Sequence, residues 1–395
     1  PVMPTLIMEL TGGSNSEASL YGGWLVFAYA FMQFIFSPVL GGLSDRYGRR
    51  PILLLSLFGL GVDYIFLSLA PSIGWLFLGR LIAGMGGASI TTAGAYIADI
   101  SAPDEKAKNF GLLGAAFGLG FIIGPGIGGL LGEYGARVPF IVSAVLTFLN
   151  FLYGYFILPE SLNPDNRREF TWSRANPVGT LTQFGKYPVL LGMVATMILI
   201  YLANHAVHSN WSYYAIEKFD WGETEIGLSI SFIGLLVAIV QGGLVQPVVR
   251  RIGQVNAVYL GLFMNGLGYV LFAFATQSWM MYVFMVPFVM GGFAGPSLQG
   301  IMSNQVSLDE QGELQGALTS LNSATSIFGP PLMTGIFALF TQNPETLYFP
   351  GAPYVLGGAL TFIGIFLIYR TFNFHKIAEQ ETKSWKVVGK EAEDV

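Results

Sequence analysis

Long apolar runs separated by short polar turns make up most of the chain. A helix needs about 20 mostly apolar residues to cross a bilayer, and eleven runs have that character, preceded by a shorter apolar piece at residues 1–8. The runs lie at 21–43, 51–70, 73–98, 107–132, 138–158, 187–210, 225–247, 254–275, 279–301, 311–340 and 352–370. The pattern predicts twelve membrane-spanning helices, with residues 1–8 as the outer end of a truncated first helix.

The composition agrees with an integral membrane protein. Hydrophobic residues make up 53% of the 395 residues and charged residues 11%, whereas soluble domains hold about 25% charged residues. The 51 glycines suit helices that pack closely in lipid, where small residues occupy the contacts. The absence of cysteine excludes disulfides and thiolate metal sites.

Positive charges predict the orientation in the membrane. If the turn at 44–50 faces the cytoplasm, every Lys and Arg except Arg80, Arg137 and Lys218 falls on that side, which is sixteen of the 19. Cytoplasmic loops carry such an excess, so we expect cytoplasmic chain termini. The net charge of −5 is small and no long basic run occurs, which argues against a nucleic-acid partner.

The two halves of the chain repeat each other at a shift of 205 residues. Gly48 matches Gly253, and Gly61 matches Gly266. Parallel six-helix repeats with a substrate site between them are a transporter architecture. We therefore expect a bundle over 1–158, a cytoplasmic linker with a short surface helix over 159–186, a second bundle over 187–371 and a cytoplasmic tail over 372–395.

Two motifs carry a family resemblance. Residues 41–50 read G-G-L-S-D-R-Y-G-R-R, and this pattern resembles the loop between helices two and three of major facilitator superfamily transporters. Residues 120–129 read G-F-I-I-G-P-G-I-G-G and resemble the antiporter signature of drug exporters. The motif residues are Gly120, Gly124, Pro125, Gly128 and Gly129. A close helix contact with a proline kink explains the same residues without that function.

Over essentially its whole length the chain resembles the tetracycline-resistance-like drug:proton antiporters. The resemblance implies an all-α major facilitator fold of two six-helix bundles, a monomer in the bacterial inner membrane, and no cofactor beyond the proton gradient. It implies export of small amphipathic drugs. A proton-coupled metabolite or sugar symporter on the same fold is the alternative. A nucleotide-driven pump is excluded for this chain because no G-x-x-x-x-G-K-[ST] occurs. A membrane-embedded enzyme or receptor is disfavoured because no catalytic cluster is apparent.

Asp63 and Arg80 are charges inside predicted spans. Each lies about seven residues from the outer end of its span, roughly 10 Å deep at 1.5 Å per residue, so we expect the two to form an ion pair. Unpaired charges at that depth cost several kcal/mol. The pair is either a static bridge or a proton-coupling site in which Asp63 titrates, and the resemblance favours the second.

A second charged group lies at the predicted cytoplasmic face. The resemblance implies that Asp45 caps the start of span eleven near Gln311-Gly312, where a helix dipole favours a carboxylate. It also implies that Arg49 bridges to Asp99. With Gly41 and Gly48 these residues would form a conformational latch that holds the outward-facing state. A turn that serves only to set topology is the alternative.

Polar side chains at similar depth predict a substrate site. Gln33, Asn150, Asn265 and Asn322 fall near the midplane of their spans, and Gln241 and Gln299 lie nearer the cytoplasm. Each alone also suits a helix–helix hydrogen bond. His205 and His208 lie one turn apart with Asn204 beside them. They suit substrate or proton handling or an interfacial position, and no third metal ligand accompanies them.

The chain departs from the tetracycline exporters at two positions. They carry an aspartate in span nine where this chain has Asn265, and a histidine in span eight where it has Val237. Their span-one aspartate lies outside the sequence. We therefore expect the proton route to depend more on Asp63 and on His205, and we expect tetracycline to be a less suited substrate.

Overall fold

The computed structural model describes residues 1–87, 89–102, 105–170, 188–306, 311–343 and 348–374, and in these ranges the chain is helical without strands. The helices are α1 (Met3–Thr11), α2 (Asn15–Tyr47), α3 (Arg49–Leu69), α4 (Ile73–Gly87), α5 (Ile90–Ile100), α6 (Lys106–Gly132), α7 (Val138–Ile157), α8 (Pro188–Phe219), α9 (Glu223–Ile239), α10 (Val245–Phe274), α11 (Ser278–Met290), α12 (Ala294–Ser303), α13 (Gln311–Leu339) and α14 (Ala352–Phe374). A π-helical turn (Val240–Leu244) joins α9 to α10. Short 3-10 turns lie at Pro164–Asn166 and Gly291–Phe293.

The predicted membrane spans correspond to these helices. Within the described ranges, nine helical segments are long and apolar enough to cross a membrane. One of them, residues 223–274, is 52 residues long and has a kink at Gly253, so it holds two of the predicted spans. The predicted all-helical membrane architecture is confirmed.

The helix α2 begins earlier than the apolar run that predicted it. The run starts at residue 21, whereas the helix starts at Asn15 because Ser14 and Glu17 form a capping box. The Glu17 amide donates to Ser14 Oγ at 3.3 Å, and the Ser14 amide donates to the Glu17 carboxylate at 3.2 Å. These polar residues stabilise the first turn but lower the hydropathy from which the span was predicted.

The predicted turn at 44–50 is shorter than expected. The helix α2 continues to Tyr47 and α3 begins at Arg49, so Gly48 alone separates them. Its backbone has φ 106° and ψ 157°, a region that essentially only glycine adopts. The reversal therefore depends on one residue without a side chain.

The tenth predicted span is interrupted at a glycine. Helix α11 ends at Met290, and Gly291 opens a 3-10 turn that leads to α12. The fourth predicted span holds α4 and α5, and residue 88 between them lies outside the described residues. Gly86-Gly87 and Gly291-Gly292 are related by the 205-residue shift.

The chain divides into two compact units. The first comprises residues 1–179, 209–232 and 326–350, and the second comprises 180–208, 233–325 and 351–395. The bundle, linker and tail boundaries expected from the sequence stay predictions. In the first unit α3 packs on α4 and α7, and in the second α10 packs on α11 and α14. The residues 171–187 and 375–395, in the predicted linker and tail, lie outside the described residues.

Candidate functional site

A buried ion pair joins α3 to α4. Arg80 Nη2 donates a hydrogen bond to Asp63 Oδ2. The Asp63 side chain is 1% exposed and that of Arg80 is 21% exposed. A Cβ built at Gly79 would lie 2.6 Å from Asp63 Oδ1, so this glycine is required for the approach of α4. The pair predicted from depth along the spans is present in the structure.

The pair leaves two buried polar atoms without a hydrogen bond. Asp63 Oδ1 and Arg80 Nε have no partner among the described residues, which is uncommon for buried polar groups. The Tyr29 ring centroid lies 6.0 Å from Arg80 Cζ, at the limit of a cation–π contact. The Asp63 carboxylate thus has one oxygen held by Arg80 and a second, buried oxygen without a hydrogen bond among the described residues.

A charged cluster surrounds Arg49 at the turn between α2 and α3. Arg49 Nη1 donates to Asp45 Oδ1, and to Ser44 Oγ at 2.7 Å. Arg49 Nε donates to Asp99 Oδ2 at 3.2 Å. The predicted contact of Arg49 with Asp99 is thus present. The expected contact of Asp45 involves side chains at 311–313 that lie outside the described residues, so it stays a prediction.

Sequence reasoning missed a third acid in this cluster. Glu160 follows α7, and its carboxylate accepts hydrogen bonds from the backbone amides of Arg49 at 2.8 Å and Arg50 at 3.3 Å. A Cβ built at Gly48 would lie 2.8 Å from Glu160 Cδ, whereas one at Gly41 would meet no atom within 4 Å in the part of the chain that the structure describes. The signal was an acid two residues after the sixth predicted span, on the side assigned to the cytoplasm.

The residues of the antiporter motif divide into two sets on α6. Gly129 packs directly on Gly227 of α9, where a Cβ built at Gly129 would lie 3.0 Å from Gly227 Cα. In contrast, a Cβ built at Gly120, Gly124 or Gly128 would meet none of the described residues within 4 Å. Pro125 lies inside the helix, and its carbonyl oxygen faces Gly227. The close helix contact accounts for part of the motif only.

Two of the predicted substrate-binding amides make helix–helix hydrogen bonds. Gln33 Nε2 donates to the carbonyl of Gly87 at 3.2 Å. Asn265 Nδ2 donates to the carbonyl of Phe288 at 3.1 Å, and Asn265 is 8% exposed. Both contacts are helix–helix hydrogen bonds, which the sequence allowed for these amides as the alternative to substrate binding.

The other predicted lining residues are more accessible. Asn150, Gln241 and Asn322 are exposed, and Gln299 Nε2 donates to Gln315 Oε1 at 2.5 Å. Because the first lies in one compact unit and the others in the second, their joint role in one site stays a prediction.

The two histidines on α8 differ in exposure. His205 is half-buried and His208 is exposed. His208 Nδ1 lies 2.9 Å from the carbonyl of Asn204, and Asn204 Oδ1 accepts a hydrogen bond from the Tyr269 hydroxyl at 3.1 Å. A search of the described residues finds no group of three His, Cys, Asp or Glu able to hold a metal ion.

Glu217 connects three segments near the predicted outer face. Asn15 Nδ2 and the Tyr348 hydroxyl both donate to its carboxylate at 3.0 Å. Burial and the Glu217 carboxylate raise the pKa of Tyr348 to about 12. Asn15 opens α2, Glu217 lies at the end of α8, and Tyr348 precedes α14. This contact was not predicted, because all three of its members lie between the apolar runs, far apart in sequence.

A family comparison matches most of the chain. The model described as Major Facilitator Superfamily matches residues 1–330 and 210–392. The tetracycline resistance protein of class C from Escherichia coli is 39% identical over 360 residues, which cover 91% of this chain and 89% of that protein. The class G protein from Vibrio anguillarum is 37% identical over 372 residues, covering 94% and 93% respectively.

Solved structures share the fold at lower identity. The human organic anion transporter MFSD10 superposes with a TM-score of 0.67 at 20% identity, covering 93% of both chains. The nucleoside transporter NupG superposes with a TM-score of 0.70 at 14% identity, covering 94% of this chain and 98% of that one. Transporters of different named substrates thus share this fold.

Proposed function

Because the chain belongs to the Major Facilitator Superfamily, we propose that it is a proton-coupled exporter of small amphipathic drugs that works by alternating access. It is a multi-pass membrane transporter and not an enzyme, as its sequence predicted. Relatives named for tetracycline resistance, at 33–39% identity, support a drug substrate. The alternative is a metabolite or sugar symporter on the same fold. It was left open by the sequence, and no relative named above supports it.

The observation that carries the proposal is the buried pair of Asp63 and Arg80. While Arg80 contacts the carboxylate, the positive charge stabilises the ionised form of Asp63. A conformational change that separates the two leaves an uncompensated charge within the membrane, which favours uptake of a proton. In our proposal a proton enters from the outside, binds Asp63, and leaves to the cytoplasm while the drug moves outward.

The cytoplasmic cluster supplies the second part of the mechanism. We assign Arg49, Asp45 and Asp99 to a latch that is closed in the outward-facing state and opens when the cytoplasmic side opens. Gly48 belongs to the latch because it allows α3 to begin directly beside Asp45, and Gly41 is assigned to it as the first glycine of the 41–50 motif. Alternating access then consists of exchange between states with the latch formed or broken.

For the substrate site we retain the accessible polar residues. They are Asn150, His205, His208, Gln241, Gln299 and Asn322. Gln33 and Asn265 are assigned to helix packing. In this proposal the transporter is a monomer in a bacterial inner membrane, with cytoplasmic termini and no cofactor beyond the proton gradient.

Proteoliposomes with an internal pH dye test the proposal. The full-length protein is exposed to tetracyclines and to a panel of cationic and neutral amphiphiles, and the expected result is proton movement after addition of at least one of them. Proton movement with sugars or organic acids alone would instead support the symporter.

The variant Asp63→Asn tests the role of the pair. We expect it to lose gradient-driven transport and to retain substrate counterflow, because counterflow needs no proton. Asp165 is an exposed acid of the linker and provides a matched control: Asp165→Asn should behave like the wild type. Normal gradient-driven transport by Asp63→Asn would refute proton coupling at this residue.

A further inference from the structure

The first residues of the linker lie against the turn between α2 and α3. The Tyr96 hydroxyl donates to the carbonyl of Pro159 at 3.1 Å. The backbone amide of Arg168 donates to the carbonyl of Asp45, also at 3.1 Å. A Cβ built at Gly42 would lie 2.8 Å from the Phe170 ring. Residues 159–170, here named the strap, thus contact the turn at several points within the first compact unit.

Glu160 anchors the strap to the N-terminus of α3. Its carboxylate accepts hydrogen bonds from the amides of Arg49 and Arg50 at 2.8 and 3.3 Å. It also accepts from the amides of Ser161 and Leu162, each at 3.0 Å. The first amides of a helix have no acceptor within the helix, and a carboxylate there is favoured by the helix dipole. The N-cap residue Gly48 has no side chain, so Glu160 supplies the cap from a distant part of the chain.

The strap also contacts Asp99, the acid to which Arg49 Nε donates. Ser161 Oγ donates to Asp99 Oδ2 at 3.1 Å, the oxygen that Arg49 Nε contacts at 3.2 Å. Glu160 therefore fixes the backbone of Arg49, while its neighbour orients the carboxylate that Arg49 contacts. Both ends of the ion pair depend on the position of the strap.

The second half of the chain offers a comparison at the matching turn. Gly253 corresponds to Gly48, but a Cβ built there would meet no heavy atom of the described residues within 4 Å. Within the described residues, the carboxylate cap is thus seen at the turn of the first half, where the linker leaves the first set of helices.

We propose that Glu160 is a positioning residue for the cytoplasmic latch, through which the linker influences the balance between inward- and outward-facing states. The proposal rests on the latch assigned under the proposed function. When the strap lies against the turn, Arg49 is held between Asp45 and Asp99 and the latch forms. When the linker draws Glu160 away, α3 loses its cap and the latch weakens.

Cysteine labelling of the full chain tests this proposal without knowledge of the substrate. The sequence has no cysteine, so Ser16→Cys provides a single thiol. Ser16 is 4% exposed and contacts Thr341 Oγ1 at 2.8 Å, and this site becomes accessible when the outer ends of α2 and α13 separate. A membrane-impermeant maleimide added from outside then reports the outward-open population.

We expect Glu160→Ala to lower the labelling rate at least threefold, and Glu160→Gln to lower it less, because the amide retains one acceptor oxygen. Glu169→Ala, at an exposed acid of the same strap, should leave the rate unchanged. An unchanged rate in Glu160→Ala, or an equal decrease in Glu169→Ala, would overturn the proposal.

A double-mutant cycle separates positioning from a general effect on folding. If Glu160 acts through Arg49 and Asp99, then Glu160→Ala adds no further decrease in an Asp99→Asn background. An equal decrease with and without Asp99→Asn would overturn the proposal, even if both proteins are less stable to heat. If Asp99→Asn itself leaves labelling unchanged, the latch is refuted and the inference with it, whereas drug–proton exchange is tested independently in proteoliposomes.

Discussion

Gly48 and Gly253 lie 205 residues apart and adopt nearly the same backbone conformation. Gly48 has φ 106° and ψ 157°, and Gly253 has φ 81° and ψ 163°. Both values lie in a region that is essentially restricted to glycine. Each residue stands where one predicted span gives way to the next, so the internal repeat extends from sequence to backbone geometry.

Alanine at these two positions is expected to have unequal effects. Either substitution introduces backbone strain of about 1–3 kcal/mol. At Gly48 the new Cβ also meets the Glu160 carboxylate, whereas at Gly253 it meets no atom of the described residues within 4 Å. Thermal unfolding in detergent should therefore show a lower Tm for Gly48→Ala than for Gly253→Ala. The opposite order would mean that contact with Glu160 does not matter for the turn.

The buried pair predicts that two substitutions are less harmful than one. Removing one partner of a buried ion pair typically costs about 3–5 kcal/mol, because the other charge stays buried without compensation. We expect Arg80→Gln to lower the Tm strongly, and Asp63→Asn combined with Arg80→Gln to recover much of that loss.

The double variant also separates stability from coupling. It should remain inactive in gradient-driven transport although its Tm has partly recovered. Recovery of transport together with the Tm would instead assign the pair a purely structural role.

The two sets of glycines on α6 predict opposite outcomes for the same substitution. Gly129→Ala places a methyl group 3.0 Å from Gly227 Cα, so α6 and α9 must separate and the Tm should fall. Gly124→Ala adds a methyl group that meets no described residue within 4 Å, so it should leave the Tm unchanged. Measured together with transport, Gly124→Ala isolates any role of the motif beyond packing: lost transport at unchanged Tm would support an antiporter role.

The thickness of the bilayer and the internal repeat made much of the fold predictable. Spans need about 20 apolar residues, so the positions of most helices follow from hydropathy. The glycines at 48 and 253 mark the turns because no other residue tolerates their conformation. The start of α2 was harder to predict, because the capping box of Ser14 and Glu17 is polar and so lies outside an apolar run.

The candidate site was predictable only where two residues lie near each other in sequence or at equal depth. Asp63 and Arg80 met both conditions and form the expected pair. Glu160 and Arg49 are separated by 111 residues, and no periodicity relates them. The partner of Asn265 was not predictable, because it is the backbone carbonyl of Phe288, which leaves no signal in the sequence.

Asn265→Asp tests the assignment of this residue to helix packing. Because the tetracycline exporters that the sequence resembles carry an aspartate here, a place for Asn265 in the substrate or proton pathway predicts that an acid changes the pH profile of transport or widens the substrate range. In the structure the new carboxylate would face the Phe288 carbonyl in place of the amide that donates to it, so an ionised side chain would lose a hydrogen bond and gain repulsion.

We therefore expect a lower Tm for Asn265→Asp, with a decrease that grows as the pH rises and the carboxylate ionises. The isosteric control Asn265→Leu removes the hydrogen bond without adding charge, and its Tm should not depend on pH in this way. A variant as stable as the wild type with an altered transport profile would return Asn265 to the substrate site.

Substitution of Glu217 is expected to raise the labelling rate of Ser16→Cys, whereas substitution of Glu160 is expected to lower it. Its carboxylate accepts hydrogen bonds from Asn15 and Tyr348 at 3.0 Å, and hydrogen bonds to charged groups contribute about 1.5–3 kcal/mol each when well formed. Because both contacts are partly exposed, we expect Glu217→Gln to lose only part of this stabilising free energy.

The outer ends of α2 and α8 should then separate more often. The labelling rate of Ser16→Cys should rise several-fold in Glu217→Gln and stay unchanged in Glu9→Gln, which alters an exposed acid on α1. Equal rates in the two variants would show that Glu217 does not hold the outer side closed.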